Sequence, residues 1–447
     1  MKRIRRSGSG PPKIEGRGPG AIHPYEALAA AWFLLYLTVP LRSGDDGWFH
    51  TVFHNYFAGE LIPFLDYRYH TWSTRLILEA LTLPLIDVPL LYRLSVPLWG
   101  VAAAGAVRRI SGGLSRRGQW MLCLGLLLLS PMPFSRAGYV CSSVNYLFTL
   151  ACLLWAAEPV IALLRGEKVP LWRQLLALPL TVLACNMEYY CPPALIAALA
   201  GTVWAVKRRK NPALPLALVV VVLLSGLFAA NAPTSTVAAY AQAEDLFPGY
   251  EALGVGEKLL AGFVSTAGGM LSTYCGGAGL LLPVLTLGAL LALWGWEREG
   301  RWLRWLYLLP LLIPIATGGI ARLCPAGSLW PTLFYDSQSG FLWDHPAAFC
   351  AALGYFAALL ACLWRWRRGV ALWAALALFC RVLMGFSRSV FDSGLRTFTP
   401  LALLICVTCA LLAGELRHKR AAWAILGCGA GAVVLQFIVF QLSGGAG

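Results

Sequence analysis

Apolar runs of roughly 17–25 residues, the length of helix that spans ~30 Å of hydrocarbon, recur from Glu26 to the C-terminus of this 447-residue chain. No other feature restricts its fold as strongly. The runs are continuously apolar rather than alternating, which argues against transmembrane strands. Hydrophobic residues make up 58% of the chain and charged ones 13%. A soluble domain carries about 25% charged residues, so this chain cannot cover its surface in water.

The formal net charge of +15 invites a nucleic-acid reading until the basic residues are located. Most of the 36 Lys and Arg stand in short clusters between apolar runs: KRIRR at 2–6, RRISGGLSRR at 108–117, RGEKVPLWR at 165–173, KRRK at 207–210, EREGRWLR at 297–304, RWRR at 365–368 and ELRHKR at 415–420. Basic clusters beside helix ends mark cytoplasmic loops and lipid headgroup contact, so nucleic acid is not an expected partner and the lipid bilayer is. Placing every cluster inside predicts an all-α integral membrane protein of about 13 transmembrane helices. The spans fall near 25–41, 88–107, 120–134, 144–164, 172–187, 190–206, 212–230, 278–296, 303–320, 346–364, 370–386, 398–414 and 421–442, with the N-terminus cytoplasmic. Residues 1–22, rich in Gly, Pro, Arg and Lys, are expected as a disordered tail, and 23–447 as a single polytopic domain. The first run has no small-x-small cleavage site and reads as an uncleaved anchor.

Two apolar segments, 74–87 and 258–274, would force a later basic cluster outside if they crossed. They are expected as helices lying at the outer interface or re-entering the membrane. The alternative is a pair of spans over 74–107, with 108–117 outside. The thirteen cysteines fall mostly inside apolar runs and read as small buried hydrophobes. Cys406 and Cys409 have CxxC spacing but lie mid-span, where a redox motif is not expected. Cys275 and Cys324 fall outside and could pair.

The outer loops collect the unusual residues. In the first, SGDDGWFHTVFHNYF, a helix over 46–57 would stand Asp46, His50 and His54 on one face, with Phe49, Phe53 and Phe57 on a neighbouring apolar one. A partly desolvated carboxylate there, Asp45 or Asp46, can act as a general base or cap the interfacial helix. The Asp–His–His face can also hold a divalent metal; no cofactor is otherwise called for. Further on, Asp66, Arg68 and His70 would share one side of an extended chain, with an ion pair from Asp66 to Arg68 or Arg75 as the structural alternative. Arg75, Arg136, Arg322, Arg388 and Arg396 break the charge rule at the outer rim. A converging set of guanidinium groups would hold a phosphate; the competing reading pairs them with Glu188, Asp336, Asp344 or Asp392. Tyr139, Ser142, Ser143 and Asn145 form one polar group near an outer end, and Asn186, Glu188 and Tyr189 another, each either facing a substrate cavity or capping a helix.

A first span followed by an outer loop opening on Asp45–Asp46, an amphipathic segment and the Trp72–Arg75 neighbourhood, then many spans with rim arginines, resembles the GT-C class of membrane glycosyltransferases. The runs DDGWFH and YRYHTWSTR, with GYVCSSVNYLF and NMEYY later, look like an uncharacterised bacterial branch related to protein O-mannosyltransferases and GtrII-like enzymes. The resemblance implies a polyprenyl-phosphate sugar donor and an acceptor hydroxyl on a cell-envelope glycan, lipid or protein. It also implies a site on the extracytoplasmic face of the cell membrane, with Asp45 or Asp46 as the base of an inverting transfer. Arg75, Arg136, Arg388 and Arg396 would hold the donor phosphate, with His50, Asp66, Arg68, His70, Tyr139, Asn145 and Glu188 near the substrates. The acceptor would meet the loops at 231–277 and 321–345 or a partner. Two other readings stay open: a transporter or flippase of a lipid or polar solute, and a non-catalytic assembly component. The absence of a P-loop argues against an ATP-driven pump. Transport predicts ionisable residues at mid-span, whereas Asp87, Glu158 and Arg381 fall within or near span ends.

Overall fold

A computed structural model describes residues 22–233, 247, 249–271, 280–323, 346–391 and 394–443, with side chains described except at 136, 318–323, 346–348 and 394. The described residues contain no strand. Their helices are α1 Pro24–Leu37, α2 Asp45–Tyr56, α3 Leu61–Thr71, α4 Leu76–Asp87, α5 Pro89–Ile110, α6 Arg116–Leu126, α7 Tyr139–Arg165, α8 Leu171–Cys185, α9 Glu188–Lys207, α10 Ala213–Ala230, α11 Val255–Leu271, α12 Leu281–Arg298, α13 Leu303–Leu323, α14 Pro346–Trp366, α15 Arg368–Val382, α16 Thr399–Glu415 and α17 Lys419–Leu442.

Among the described residues, eight helical stretches are long and apolar enough to cross a membrane: α5, α7, α9, α10, α14, α17, and α15 and α16 with their adjoining 3-10 turns. The chain is therefore a helical membrane protein. The apolar faces point outward as well as inward. On α10, Leu216, Val220, Leu223, Leu224 and Leu227 are exposed, a stripe that water would not support and lipid does. The other five expected spans fall on α1, α6, α8, α12 and α13. One is corrected: the helix in 120–134 stops at Leu126. A 3-10 turn over Met132–Ala137 follows, where Pro131 and Pro133 lack the N–H that a continuing helix needs.

The centre of the molecule is α16. Of its apolar window, 72% is buried, against 22–56% for the other seven stretches, because α6, α12, α15 and α17 pack around it. The segment 258–274 also departs from the interfacial reading. Ala261, Gly262 and every residue from Val264 to Leu271 on α11 are buried, so this helix inserts among others rather than lying flat. Its docking depends on two glycines. A Cβ on Gly262 would stand 1.8 Å from the Val382 carbonyl oxygen, and one on Gly385 1.7 Å from that of Lys258, so backbone meets backbone where α11 crosses the end of α15. At 12 residues, α4 is about 18 Å long, too short to cross. Cys406 and Cys409 are buried free thiols. The tail residues 1–21, Cys275, Cys324, Asp336, Asp344 and Asp392 lie outside the described residues, as do 234–246, 248, 272–277 and 324–345 of the two loops expected to meet the acceptor.

Charge sorts to the two ends of the bundle. Arg165 donates to the carbonyls of Ile110 (2.6 Å) and Arg109 (2.8 Å), and Lys210 to those of Leu164 (2.7 Å) and Leu163 (3.1 Å), drawing three basic clusters together. Arg365 pairs with Glu299 at 2.9 Å, Arg367 with Glu415, and His418 with Glu297 at 2.8 Å, which gathers three more. The opposite ends of the same helices hold a different set. Asp87 precedes α5, Glu188 opens α9, and Arg388 follows α15.

Candidate functional site

The two neighbouring aspartates of the first loop have separate environments. Asp45 is exposed, whereas Asp46 is fully buried. The Asp46 Oδ2 accepts from the Val140 N–H and its Oδ1 from the Cys141 N–H, both at 2.8 Å. These are unpaired donors in the first turn of α7, so Asp46 caps a helix 94 residues further along the chain. The capping position itself is Gly138, at φ +96°, and a Cβ there would lie 2.6 Å from the Asp46 Cγ. Burial pushes the Asp46 carboxyl up to about 6, and the negative charge of Asp45 adds to the rise, against the lowering effect of the Cys141 side chain and the two N–H donors. Asp46 therefore caps α7 and not the interfacial helix α2 to which it belongs, and the exposed Asp45 is left as the candidate base.

The phenylalanine face of α2 packs as its spacing predicts. Phe49, Phe53 and Phe57 each meet Phe64 of α3, with centroids 5.8, 5.5 and 5.6 Å apart. The polar face is corrected. His50 and His54 turn to Asp87, at the end of α4, and not to Asp46. His50 Nδ1 is 2.8 Å from Asp87 Oδ1, and His54 Nε2 is 3.0 Å from Oδ2. Desolvation raises the Asp87 carboxyl, but the hydrogen bonds and charge of the two imidazoles outweigh it and hold it below the usual carboxylate range.

The extended reading of 66–70 is also corrected, since these residues lie in α3. Phe64 and Arg68, four apart, share its buried face. Asp66 and His70 are exposed on another side, with Nδ1 3.4 Å from Oδ1. Arg68 is not paired with Asp66. Its Nε and Nη2 each donate at 2.8 Å to the Glu79 carboxylate, and its guanidinium stacks on Trp48 and Phe49 at 4.9 and 5.0 Å. Alternation of charge and aromatic residues alone could not reveal this, because the partner stands on the next helix.

Arg75 follows the pairing alternative. Its Nε and Nη2 each lie 3.0 Å from a Glu188 oxygen. Next to that pair, Asn186 accepts from the Leu78 N–H at 3.1 Å and donates to the Thr74 carbonyl at 3.3 Å, so the NMEYY run seals the start of α4. A cleft of about 290 Å³ opens here, lined by Arg75, Tyr146, Glu188, Tyr189, Leu383 and Phe386 among others. Behind it lies Arg381, which the sequence placed only near a span end. Its side chain is buried, close enough to Tyr189 and Tyr146 to interact electrostatically. It donates to Ser265 Oγ at 2.7 Å and lies 4.2 Å over the Phe398 ring. Its Nε and Nη1 have no hydrogen-bond partner among the described residues. A charged group within an apolar span was the available signal.

The remaining candidates scatter. Arg388 pairs with Glu251, Nε to Oε1 at 2.5 Å. Arg396 is half-buried in a 3-10 turn over Gly394–Phe398 and forms no ion pair among the described residues. The side chains of Arg136 and Arg322 lie outside the described ones. Tyr139 is buried, its hydroxyl accepting from Gln441 Nε2 at 2.8 Å. Asn145 sits in a widened π-helical turn over Ser143–Phe148, braced where Tyr92 meets Ser143 at 3.0 Å and Tyr190 donates to the Tyr146 carbonyl at 2.8 Å. Such turns recur at functional sites. Glu79, which holds Arg68, also acts electrostatically on Arg75 beside the cleft. Comparisons with protein-family profiles, curated proteins and solved structures return no match for this chain.

Proposed function

We propose that the chain is a GT-C-like glycosyltransferase that moves a sugar from a polyprenyl-phosphate donor to an acceptor hydroxyl. In this reading the chain crosses the bilayer thirteen times, with α6 and the turns and 3-10 helix that follow it to Ala137 making one crossing, the basic clusters are cytoplasmic, and the cleft end is extracytoplasmic. The supporting observation is Arg381. A buried guanidinium with two unsatisfied donors is costly, and an anion entering the neighbouring cleft would satisfy them. A lipid-linked phosphate suits that position, since its tail can remain between helices while its charge reaches the cleft. Asp45 takes the proton from the acceptor hydroxyl. The oxygen then attacks the anomeric carbon with inversion, and the bond to the lipid phosphate breaks. Arg381, with Arg75 positioned by Glu188, stabilises the charge developing on the departing phosphate.

The same buried arginine supports a flippase or transporter of an anionic lipid, so the test must read bond cleavage. Purified protein in lipid would be given a panel of polyprenyl-phosphate sugars, comparing wild type with Asp45→Asn and Arg381→Gln. The expected result is release of polyprenyl phosphate by wild type and a loss of about 10²–10⁴-fold in Asp45→Asn at unchanged stability. Donor movement across the bilayer without cleavage would replace the transferase with the transporter.

A further inference from the structure

The face of α2 that carries His50 and His54 meets the end of α4 in a way neither helix shows alone. The two histidines are one turn apart, so their rings lie on one side, with centroids 4.7 Å apart. Asp87 enters from α4, 33 residues beyond His54. Its Oδ1 is 2.8 Å from His50 Nδ1 and 3.1 Å from His54 Nε2, and its Oδ2 is 3.0 Å from His54 Nε2. One donor atom from each of the three residues lies within 4.8 Å of the others. The side chains are 29%, 41% and 30% exposed, so the cluster faces outward and a water can approach it.

We infer that His50, His54 and Asp87 form a divalent-metal site selective for Zn²⁺ or a similar first-row ion. Two imidazole nitrogens and one carboxylate oxygen are the donor set of a three-residue zinc site that leaves a fourth position to water. Imidazole donors favour zinc, cobalt, nickel or copper over magnesium and calcium, which prefer oxygen. The two nitrogen–oxygen separations need little change, and the third, between the two imidazole nitrogens, lies within 4.8 Å. Zinc at ~2.0–2.1 Å from each donor, in tetrahedral arrangement, sets donors ~3.3 Å apart. The present N–O separations of 2.8–3.1 Å open to that by a few tenths of an ångström. The helical pitch supplies both histidines on a face whose neighbouring side is anchored by Phe49 and Phe53, so only Asp87 must be brought in. The ion would tie the first-loop helix to the start of α5. The site is separate from the cleft beside Arg75 and involves neither Asp45 nor sugar transfer.

The test uses tag-free full-length protein in lipid nanodiscs, stripped with EDTA and titrated with Zn²⁺ alone, and in parallel with Co²⁺ as a spectroscopic probe. Wild type is expected to bind one equivalent that Mg²⁺ does not displace, and to show the visible absorption of tetrahedral cobalt. Asp87→Asn keeps a hydrogen-bond acceptor for the histidines and should fold; it is expected to weaken that equivalent at least tenfold and to lose the cobalt band. His54→Gln serves as the second variant, with metal-free melting temperatures checking that both fold. Because thiols elsewhere can take up metal, the decisive quantity is the equivalent lost between wild type and variant. Equal zinc stoichiometry and affinity in all three proteins, or no zinc bound by wild type, would overturn the site. Transfer activity is not read, so the result is independent of the glycosyltransferase proposal.

Discussion

The most informative single substitution is Asp46→Asn, because burial and hydrogen bonding oppose each other at that carboxyl. Burial favours the protonated form; the two N–H donors of α7 favour the carboxylate. Burial wins, and the group rises from the model-peptide value of 3.8 to about 6. The shift of about two pH units corresponds to about 3 kcal/mol, with no reduction for solvent screening since the side chain is fully buried. The sign follows from linkage. A carboxyl whose folded value is raised binds its proton more tightly in the folded state, so its stabilising contribution is complete below about pH 4 and is lost as pH rises through 6. Asn mimics the protonated form and does not titrate. The assay is reversible unfolding in mixed detergent, followed for both proteins from pH 4 to pH 7, taking the difference between them so that other titrations cancel. At pH 4 Asp46→Asn is expected to be the less stable, because its Nδ2 cannot accept from one of the two N–H donors, and between pH 4 and pH 7 the difference should move by up to about 3 kcal/mol in favour of the variant. A difference that stays constant, or moves the other way, would refute the reasoning and show that the α7 donors outweigh desolvation.

The buried pair of Arg68 and Glu79 should be sensitive to loss of one partner. Arg68→Ala leaves Glu79 charged and unpaired and is expected to cost about 3–5 kcal/mol, whereas the double change to Met and Leu should recover most of that; equal melting temperatures for single and double variants would contradict the pairing. Gly385→Ala drives a methyl group into the Lys258 carbonyl at the α11 crossing. It is expected to destabilise by at least about 1–3 kcal/mol, and wild-type thermal stability of the variant would show that the helices do not approach so closely.

What the amino-acid order determined by itself was the solvent and the membrane helices. Each apolar run must satisfy its own backbone hydrogen bonds in lipid, a requirement that acts segment by segment, so those helices, the basic clusters and the concentration of unusual residues between the other span ends were readable, whereas α3, which has no apolar run, read as extended chain. The short helices α2 and α4 were readable on other grounds, α2 from the spacing of Phe49, Phe53 and Phe57 and α4 from an apolar segment whose crossing would have put a basic cluster outside. Tertiary structure alone decided the partners. Asp45 and Asp46 are adjacent and chemically identical, and only the position of α7 buries one and leaves the other exposed. The histidines found Asp87 instead of Asp46, Arg68 found Glu79, and Arg75 chose Glu188 across more than a hundred residues. Ion pairing and capping act between atoms within about 3 Å, and which helix ends come that close depends on how the helices pack, not on the order of residues within any one of them.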